Sequence, residues 1–288
     1  MKTKKRIAPY FLVVLQSLLY GFGDPISKSA YELVPVCSLL SVRYLIAFVF
    51  LMAIAGRDTV QELRRTRAWI LPSVLISLSY LLSNLALKLT AATSVAFLRS
   101  LATILTPVLA FVLFRRKYGW RHFIIGALSV VGLFLLCSLG GLSGFGAGEV
   151  LSLLGALAMA GALLLGEKAM TEMRAAALAT AQIGVSTLVA LIAAFVLEGG
   201  VHVEAATVPI WGIICYLAIA CSAAGFLLQN VALRSISAKS VALTQCVCPI
   251  MTALFSFLIL GERLSAVGFA GAALILLCVS AEILLIDP

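Results

Sequence analysis

The chain has 288 residues, of which 62% are hydrophobic and only 11% are charged, and its formal net charge is +9. Soluble domains carry about 45–50% apolar and about 25% charged residues, so the composition excludes a soluble protein and predicts a membrane protein along the whole chain. The positive charge by itself would suit a nucleic-acid ligand, but its position in the sequence assigns it to the membrane surface.

Apolar stretches predict ten transmembrane helices, because about 20 apolar residues are needed to cross the hydrocarbon core of a bilayer. The predicted helices lie near residues 7–26, 34–55, 68–87, 91–114, 121–139, 149–168, 176–197, 209–230, 238–260 and 265–285. The basic segment KTKKR before the first helix is typical of a signal peptide, but no clear cleavage site follows it. We therefore interpret the first helix as a retained span of an all-α polytopic membrane protein.

An internal duplication divides these helices into two groups of five. Residues 84–96 (NLALKLTAATSVA) and 230–242 (NVALRSISAKSVA) are identical at seven of thirteen positions. A glycine-rich segment at 138–148 separates the copies, so we assign residues 1–140 to the first repeat and 141–288 to the second. Because five is odd, the second repeat is predicted to be inverted in the membrane, a plan that recurs among secondary transporters.

Lysine and arginine residues indicate the orientation of the chain. With both termini in the cytoplasm, sixteen of the 21 basic residues fall in cytoplasmic segments. Lys28, Lys88 and Arg263 are then external, and Arg43 and Arg99 lie within spans. This asymmetry follows the positive-inside rule and places the basic loops against anionic lipid headgroups. This distribution of basic residues is typical of a bacterial inner-membrane protein. We expect its partners to be the lipid bilayer and a small-molecule substrate, and we expect it to bind no nucleic acid.

Four predicted helices carry polar side chains at three- and four-residue spacing, which puts them on one helix face. Polar groups in contact with lipid are costly, so these faces are predicted to line a shared central cavity. The alternative is hydrogen bonding between helices without a ligand. The candidate substrate-binding residues are Arg99, Arg43, Gln16, Tyr20, Tyr80, Asn84, Thr103, Gln245 and Thr252.

Arg99 is the most informative of these residues because it lies well inside the fourth predicted helix. A charged side chain at the bilayer centre costs about 2.5–3.5 kcal/mol on insertion scales, so something must offset that cost. Arg43 lies at a comparable depth, and Asp24 is the obvious acidic neighbour. The excess of positive charge favours a site for a carboxylate or another anionic group, which the guanidinium binds through a fork of donors. Snorkelling, or a purely structural Arg–Asp pair, would also explain the residue.

Pro107 and Pro249 lie inside the fourth and ninth predicted helices, where each removes a backbone hydrogen bond. The resulting kinks would serve either as hinges for alternating access or as static bends. The candidates for ion coupling or for charge partners are Asp24, Lys28, Glu149 and Glu167. The sequence has no Walker A motif and no CxxC pair, and we expect neither a metal site nor a cofactor.

Several segments resemble the drug/metabolite transporter superfamily, specifically its EamA-type permeases. The first copy contains YGFGDPISKSA and then SVRYLIAFVFL, and the second closes with FLILGERLSAVGFAGAALILLC. The first copy has FRRKYGW at 114–120 in place of the Gly-Glu-Arg-Leu turn. The resemblance covers essentially the whole chain.

The resemblance implies a ten-helix permease with two inverted five-helix repeats around a central cavity, which exports small metabolites or amino acids and is not an enzyme. A channel or a lipid translocator is the first alternative. An intramembrane enzyme is the second, but the sequence has no HExxH motif, no paired mid-span aspartates and no Ser–His pair to support it.

Overall fold

The computed structural model describes residues 2–90, 92–116, 119–137, 146–260 and 266–283, and every regular element in these ranges is helical. The α-helices are α1 (Lys2–Ala30), α2 (Val36–Arg65), α3 (Ile70–Leu89), α4 (Ala92–Ser100), α5 (Ala102–Phe114), α6 (Trp120–Cys137), α7 (Ala147–Ala169), α8 (Ala175–Glu198), α9 (Val208–Tyr216), α10 (Gly225–Leu233), α11 (Ala238–Thr244), α12 (Val247–Leu260) and α13 (Ala266–Ala281). A π-helical segment, Leu217–Ala224, joins α9 to α10.

Eight helical segments in the described part of the chain are long and apolar enough to cross a membrane, and two shorter apolar helices accompany them. The shorter helices, Phe123–Leu135 within α6 and Ala266–Ala281, occupy the fifth and tenth predicted positions. The prediction of an all-helical polytopic membrane protein is therefore confirmed, while the count of ten spans stays a prediction. The predicted boundary between residues 140 and 141 lies outside the described residues.

Two of the predicted spans, the fourth and the ninth, are each divided by a short irregular turn. The fourth consists of α4 and α5 with a break at Leu101, and the ninth consists of α11 and α12 with a break at Gln245 and Cys246. At both breaks the backbone closes three-residue hydrogen bonds, from Leu101 N–H to the Leu98 carbonyl and from Cys246 N–H to a carbonyl three residues earlier. The tighter turn rotates the helix on either side of the break and ends the regular ladder.

Helices α2 and α8, which hold the second place in each copy, pack side by side in opposite directions. The N–H of Cys37, at the start of α2, donates to Glu198 at the end of α8 over 2.8 Å. At the other end, Arg174 donates to Glu62 over 2.8 Å through both its backbone and its side chain. This hydrogen bond raises the pKa of Arg174, which lies outside the spans. The two equivalent helices are therefore antiparallel.

The interrupted spans also run antiparallel to each other. Thr103 in α5 donates to the carbonyl of Ala242 in α11 over 2.9 Å, while Arg99 in α4 lies 3.5 Å from the sulfur of Cys248 in α12. Helix α1 of the first copy packs on α12, α10 and the π-helical segment of the second copy. In the same way, α7 of the second copy packs on α3, α4 and α5 of the first copy. The first helix of each copy is thus inserted into the other half, and both helix breaks face this central seam.

Candidate functional site

An ion pair lies in the seam between the two halves of the molecule. Arg99 Nη2 is 2.9 Å from Asp24 Oδ2, and the two side chains are 14% and 18% exposed. Arg99 also contacts the sulfur of Cys248 at 3.5 Å, and Thr252 donates to the same Asp24 oxygen over 3.5 Å. Arg99 is the penultimate residue of α4, two positions before the break at Leu101. The charge that the sequence predicted within the fourth helix therefore has a partner from α1.

Arg43 is a second cation at the same level, and it is only 5% exposed. Its Nε donates to the Ser222 hydroxyl over 2.8 Å, and its guanidinium lies 5.4 Å from the ring centroid of Tyr44. Among the described residues, no carboxylate forms an ion pair with it. Ser222 belongs to the π-helical segment, whose wider turn presents the hydroxyl to α2. With Arg99 and Asp24, Arg43 gives the seam a formal charge of +1.

Two small cavities meet at this cluster, with volumes of about 40 Å³ and about 10 Å³. Tyr20, Tyr80 and Arg99 border both of them and form the wall between them. The smaller cavity is also bordered by Arg43, Asp24 and five further residues, Gly23, Ser27, Asn84, Leu217 and Cys221. The larger one is also bordered by Ser17, Ser100, Ala102, Met159, Ala242, Gln245 and Cys248. Since one water molecule needs roughly 10–15 Å³, these cavities hold water but not a metabolite.

Aromatic rings form the wall between the two cavities. The centroids of Tyr20 and Tyr80 are 5.9 Å apart in an edge-to-face arrangement, and Tyr80 stacks on Phe226 at 5.2 Å. The Tyr20 hydroxyl is buried and has no hydrogen-bond partner among the described residues. It can approach α10 closely because residue 225 is glycine, where a Cβ atom would lie 2.7 Å from the hydroxyl oxygen. Buried polar groups in folded proteins nearly always have a partner, so this hydroxyl is an exception that calls for an explanation.

A cluster of three glutamine side chains reaches the larger cavity through Gln245, with Gln16 and Gln229 buried behind it. Gln16 donates to Gln229 over 3.1 Å, and Gln245 donates to Gln229 over 2.9 Å and to Gln16 over 3.3 Å. This part of the seam is polar but neutral, in contrast to the charged cluster around Arg99. Gln229 was not among the predicted site residues, although a glutamine in the middle of an apolar run indicates a polar site within a span.

Six of the nine predicted substrate-binding residues border the cavities, namely Arg99, Arg43, Tyr20, Tyr80, Asn84 and Gln245. The other three, Gln16, Thr103 and Thr252, are fully or almost fully buried behind this border. Gln16 belongs to the amide cluster, Thr103 bonds α5 to α11, and Thr252 contacts Asp24. These three side chains therefore connect helices. This is the role that the alternative explanation, hydrogen bonding between helices without a ligand, gives to single polar residues.

The predicted charge partners Lys28, Glu149 and Glu167 lie at helix ends, away from the cavities. Lys28 Nζ is 3.4 Å from the Thr90 carbonyl, and Glu149 accepts from the Thr90 hydroxyl over 2.6 Å and caps its own helix at Gly146 over 2.9 Å. Glu167 accepts from Arg116 over 2.7 Å and from the first N–H of α11 over 2.9 Å. Of the four candidates, only Asp24 borders one of these two cavities.

The predicted hinge prolines lie close to the two helix breaks. Pro249 is in the first turn of α12, directly after the break at Gln245 and Cys246, and has no N–H to donate to the Gln245 carbonyl. Pro107 lies inside α5, six residues beyond Leu101. The breaks and prolines of the two copies therefore occupy similar, but not identical, positions.

Known proteins provide an independent comparison for the whole chain. The sequence profile of the EamA-like transporter family matches residues 7–138 and matches again at residues 146–281. A crystal structure of another protein has a similar fold, with a TM-score of 0.77 over 95% of each chain at 14% sequence identity. At that identity the likeness concerns the fold alone. No curated protein sequence matches the chain.

Proposed function

The chain belongs to the EamA-like transporter family and is a multi-pass membrane protein, and from that premise we propose that it is a secondary transporter that exports small metabolites by alternating access. Its proposed substrates are amino acids or other small solutes that carry a carboxylate or are amphipathic. Its proposed location is a bacterial inner membrane, with the N- and C-termini in the cytoplasm.

The antiparallel packing of equivalent helices supports an arrangement of ten spans in two inverted repeats. Helix α2 is antiparallel to α8, and α4–α5 are antiparallel to α11–α12, as a pseudo-two-fold axis in the membrane plane requires. Arg116, Lys168, Arg174 and Arg234 lie where helix ends meet at one face of the molecule. This basic face suits the cytoplasmic side.

The single observation that carries the proposal is a pair of small cavities with net positive charge at the seam between the two halves. In transporters built from two repeats, substrate sites lie at the repeat interface near the bilayer midplane. These two cavities are too small for a metabolite, so the proposed cycle includes a step in which the halves separate and join the two cavities into one site. The breaks in the fourth and ninth spans, with Pro107 and Pro249 nearby, are the proposed hinges.

Asp24 is the proposed coupling residue. It borders the smaller of the two cavities at the seam, and its partner Arg99 borders both of them. Protonation of the Asp24 carboxylate would break its ion pair with Arg99, so binding of a proton would change the charge and the contacts of the site. The structure thus gives proton coupling a specific residue to test.

The experiment is solute counterflow in proteoliposomes with the wild-type protein and the Arg99→Gln variant. We expect saturable counterflow for the wild-type protein and clearly weaker transport for the variant, because the substitution removes one of two cations and leaves Asp24 without its ion pair. Arg174→Gln is the matched control, since it breaks an ion pair of similar length, 2.8 Å, at a guanidinium that is 48% exposed. Normal counterflow by Arg99→Gln, at equal amounts of inserted protein, would contradict the proposal for this site. A voltage-driven current that does not saturate would favour a channel.

A further inference from the structure

Resting on the proposed transport function, we infer that Arg43, and not Arg99, binds the anionic group of the solute, and that the site accepts one negative charge. The sequence treats the two arginines alike, as charges at similar depth in the second and fourth helices. The tertiary structure separates their roles.

Arg99 is already neutralised within the protein. Its ion pair with Asp24 is short, at 2.9 Å, and both side chains are largely removed from water. A pair of this kind has its charges mutually compensated, and a solute that bound Arg99 would have to displace Asp24. Arg99 and Asp24 together therefore contribute no net charge to the site.

Arg43 is a buried cation without such compensation. It is 5% exposed, donates one hydrogen bond to a neutral hydroxyl, Ser222, and lies over the ring of Tyr44. The described groups that face it are Asp24, which shares the smaller cavity with it and is held by Arg99, and Tyr20, Tyr31, Tyr44 and Cys221. A guanidinium has five N–H donors, and among the described residues only the Nε donor has a partner. Burial of an unpaired charge is strongly unfavourable, so an anion that enters the adjoining cavity replaces lost solvation.

The Tyr20 hydroxyl is a second, independent indication of a ligand. Tyr20 is more than nine-tenths buried, borders the same cavity as Arg43, and leaves its hydroxyl without a partner among the described residues. A phenol hydroxyl donates readily to a carboxylate oxygen, and this bond is strong when the acceptor is charged. The Tyr20 hydroxyl is enclosed beside Gly225 in the described conformation, so its inferred bond to a carboxylate held by Arg43 forms when the halves separate.

The number of charges sets the class of ligand. Arg43, Arg99 and Asp24 sum to +1, so a single carboxylate makes the seam neutral, whereas a dicarboxylate would leave a second negative charge in the membrane interior. Near the other cavity, Gln16, Gln229 and Gln245 offer neutral polar groups. The inferred ligand is therefore a monocarboxylate whose remaining polar groups are uncharged.

The second repeat supplies a tolerated substitution for the test. Gln182 takes the place of Arg43 in the second copy, where it is buried and accepts a hydrogen bond from Asn230 over 2.7 Å. A glutamine thus fits at this position of the fold, and Arg43→Gln is expected to insert and fold. Ser222→Ala is a milder second variant, because it removes only the hydrogen bond that orients Arg43.

The test compares acids with their own amides in proteoliposome uptake and counterflow. The probes are lactate and lactamide, benzoate and benzamide, and nicotinate and nicotinamide, with succinate as the dianion. We expect the wild-type protein to prefer at least one acid over its amide and over succinate. Arg43→Gln should reduce the acid-over-amide ratio by about tenfold or more, the order expected when a charge-assisted contact is lost. Ser222→Ala should raise the KM for the acid severalfold and change the KM for the amide much less, because it disturbs the orientation of Arg43.

The double variant Asp24→Asn/Arg99→Gln is the discriminating control, because it removes the ion pair but leaves Arg43 and a formal charge of +1, so it should slow transport but keep the preference for the acid. If Arg43→Gln keeps the wild-type preference while the double variant loses it, the assignment to Arg43 is wrong and the proposed transport function stands. Saturable transport of neutral probes only, or of succinate ahead of the monocarboxylates, also overturns the inference and leaves that function intact. Absence of transport for every probe by the wild-type protein overturns the inference and counts against the proposed function as well.

Discussion

Removal of one charge from the Arg99–Asp24 pair should destabilise the protein more than removal of both charges. In Asp24→Asn, the described hydrogen-bond contact that remains to the Arg99 guanidinium is the sulfur of Cys248, at 3.5 Å. Arg43, which has no ion pair among the described residues, lies at the same site. Arg99→Gln leaves the Asp24 carboxylate with only the weak contact from Thr252 at 3.5 Å. Each single variant thus buries an uncompensated charge.

The expected magnitude follows from the burial of the pair. Breaking a fully buried ion pair from one side costs about 3–5 kcal/mol. The side chains here retain 14% and 18% exposure, so water partly solvates the remaining charge and we expect a loss of about 2–3 kcal/mol for each single variant. The double variant Asp24→Asn/Arg99→Gln leaves two neutral amides, for which we expect a loss of about 1 kcal/mol. The loss in the double variant should therefore fall about 3–5 kcal/mol below the sum of the single losses.

The assay is reversible unfolding of the four proteins by SDS titration in mixed micelles, with helicity as the signal. The cycle Glu62→Gln, Arg174→Gln and their double variant is the matched control, because that pair is 2.8 Å long but lies at the exposed end of α2. Solvent screening should make its coupling much smaller. If the losses for Asp24 and Arg99 add within about 0.5 kcal/mol, the two charges are not coupled in the folded protein and the reasoning fails.

Two further predictions concern the packing of the halves. A Cβ atom on Gly21 would meet backbone atoms of α12 at 2.8 and 2.9 Å, so Gly21→Ala should destabilise the protein by about 1–3 kcal/mol. Gly212→Ala, where nothing lies within 4 Å, should be neutral or stabilising, and equal melting temperatures for the two variants would contradict the α1–α12 packing. Glu198→Gln weakens an acceptor that holds two backbone N–H groups at the start of α2 over 2.8 Å each, and we expect a loss of about 1–2 kcal/mol in the same unfolding assay. Wild-type stability of that variant would show that the contact between α8 and α2 is not maintained in solution.

Much of the architecture was predictable because the bilayer imposes one rule on the whole chain. A backbone in hydrocarbon must satisfy its own hydrogen bonds, so long apolar runs become helices whatever packs against them. The positions of the spans followed from this rule to within a few residues. The helix breaks at Leu101 and at Gln245 did not, because a short interruption leaves the apolar run and its length unchanged.

The candidate site was predicted in its outline and not in its contacts. The spacing of the polar residues predicted that Arg99, Tyr20 and Tyr80 line the cavity, because residues on one face of a helix pack against the same neighbour. The spacing did not distinguish Thr103, whose side chain bonds two helices, from the residues that line the cavity, because both kinds of residue have the same spacing. Glu149 also looked functional in the sequence, whereas its carboxylate caps the start of α7.

The sequence by itself determined that this protein is helical, lies in a membrane, contains a duplication and keeps cations in its spans. These properties depend on composition and on local spacing, which need no knowledge of distant contacts. Only the tertiary structure decided that Asp24 neutralises Arg99 and that Arg43 is left with Ser222, a residue 179 positions away in the chain. The physical reason is that burial and pairing of a charge depend on which helices meet, and the antiparallel packing of the two halves brings together side chains that the sequence keeps far apart.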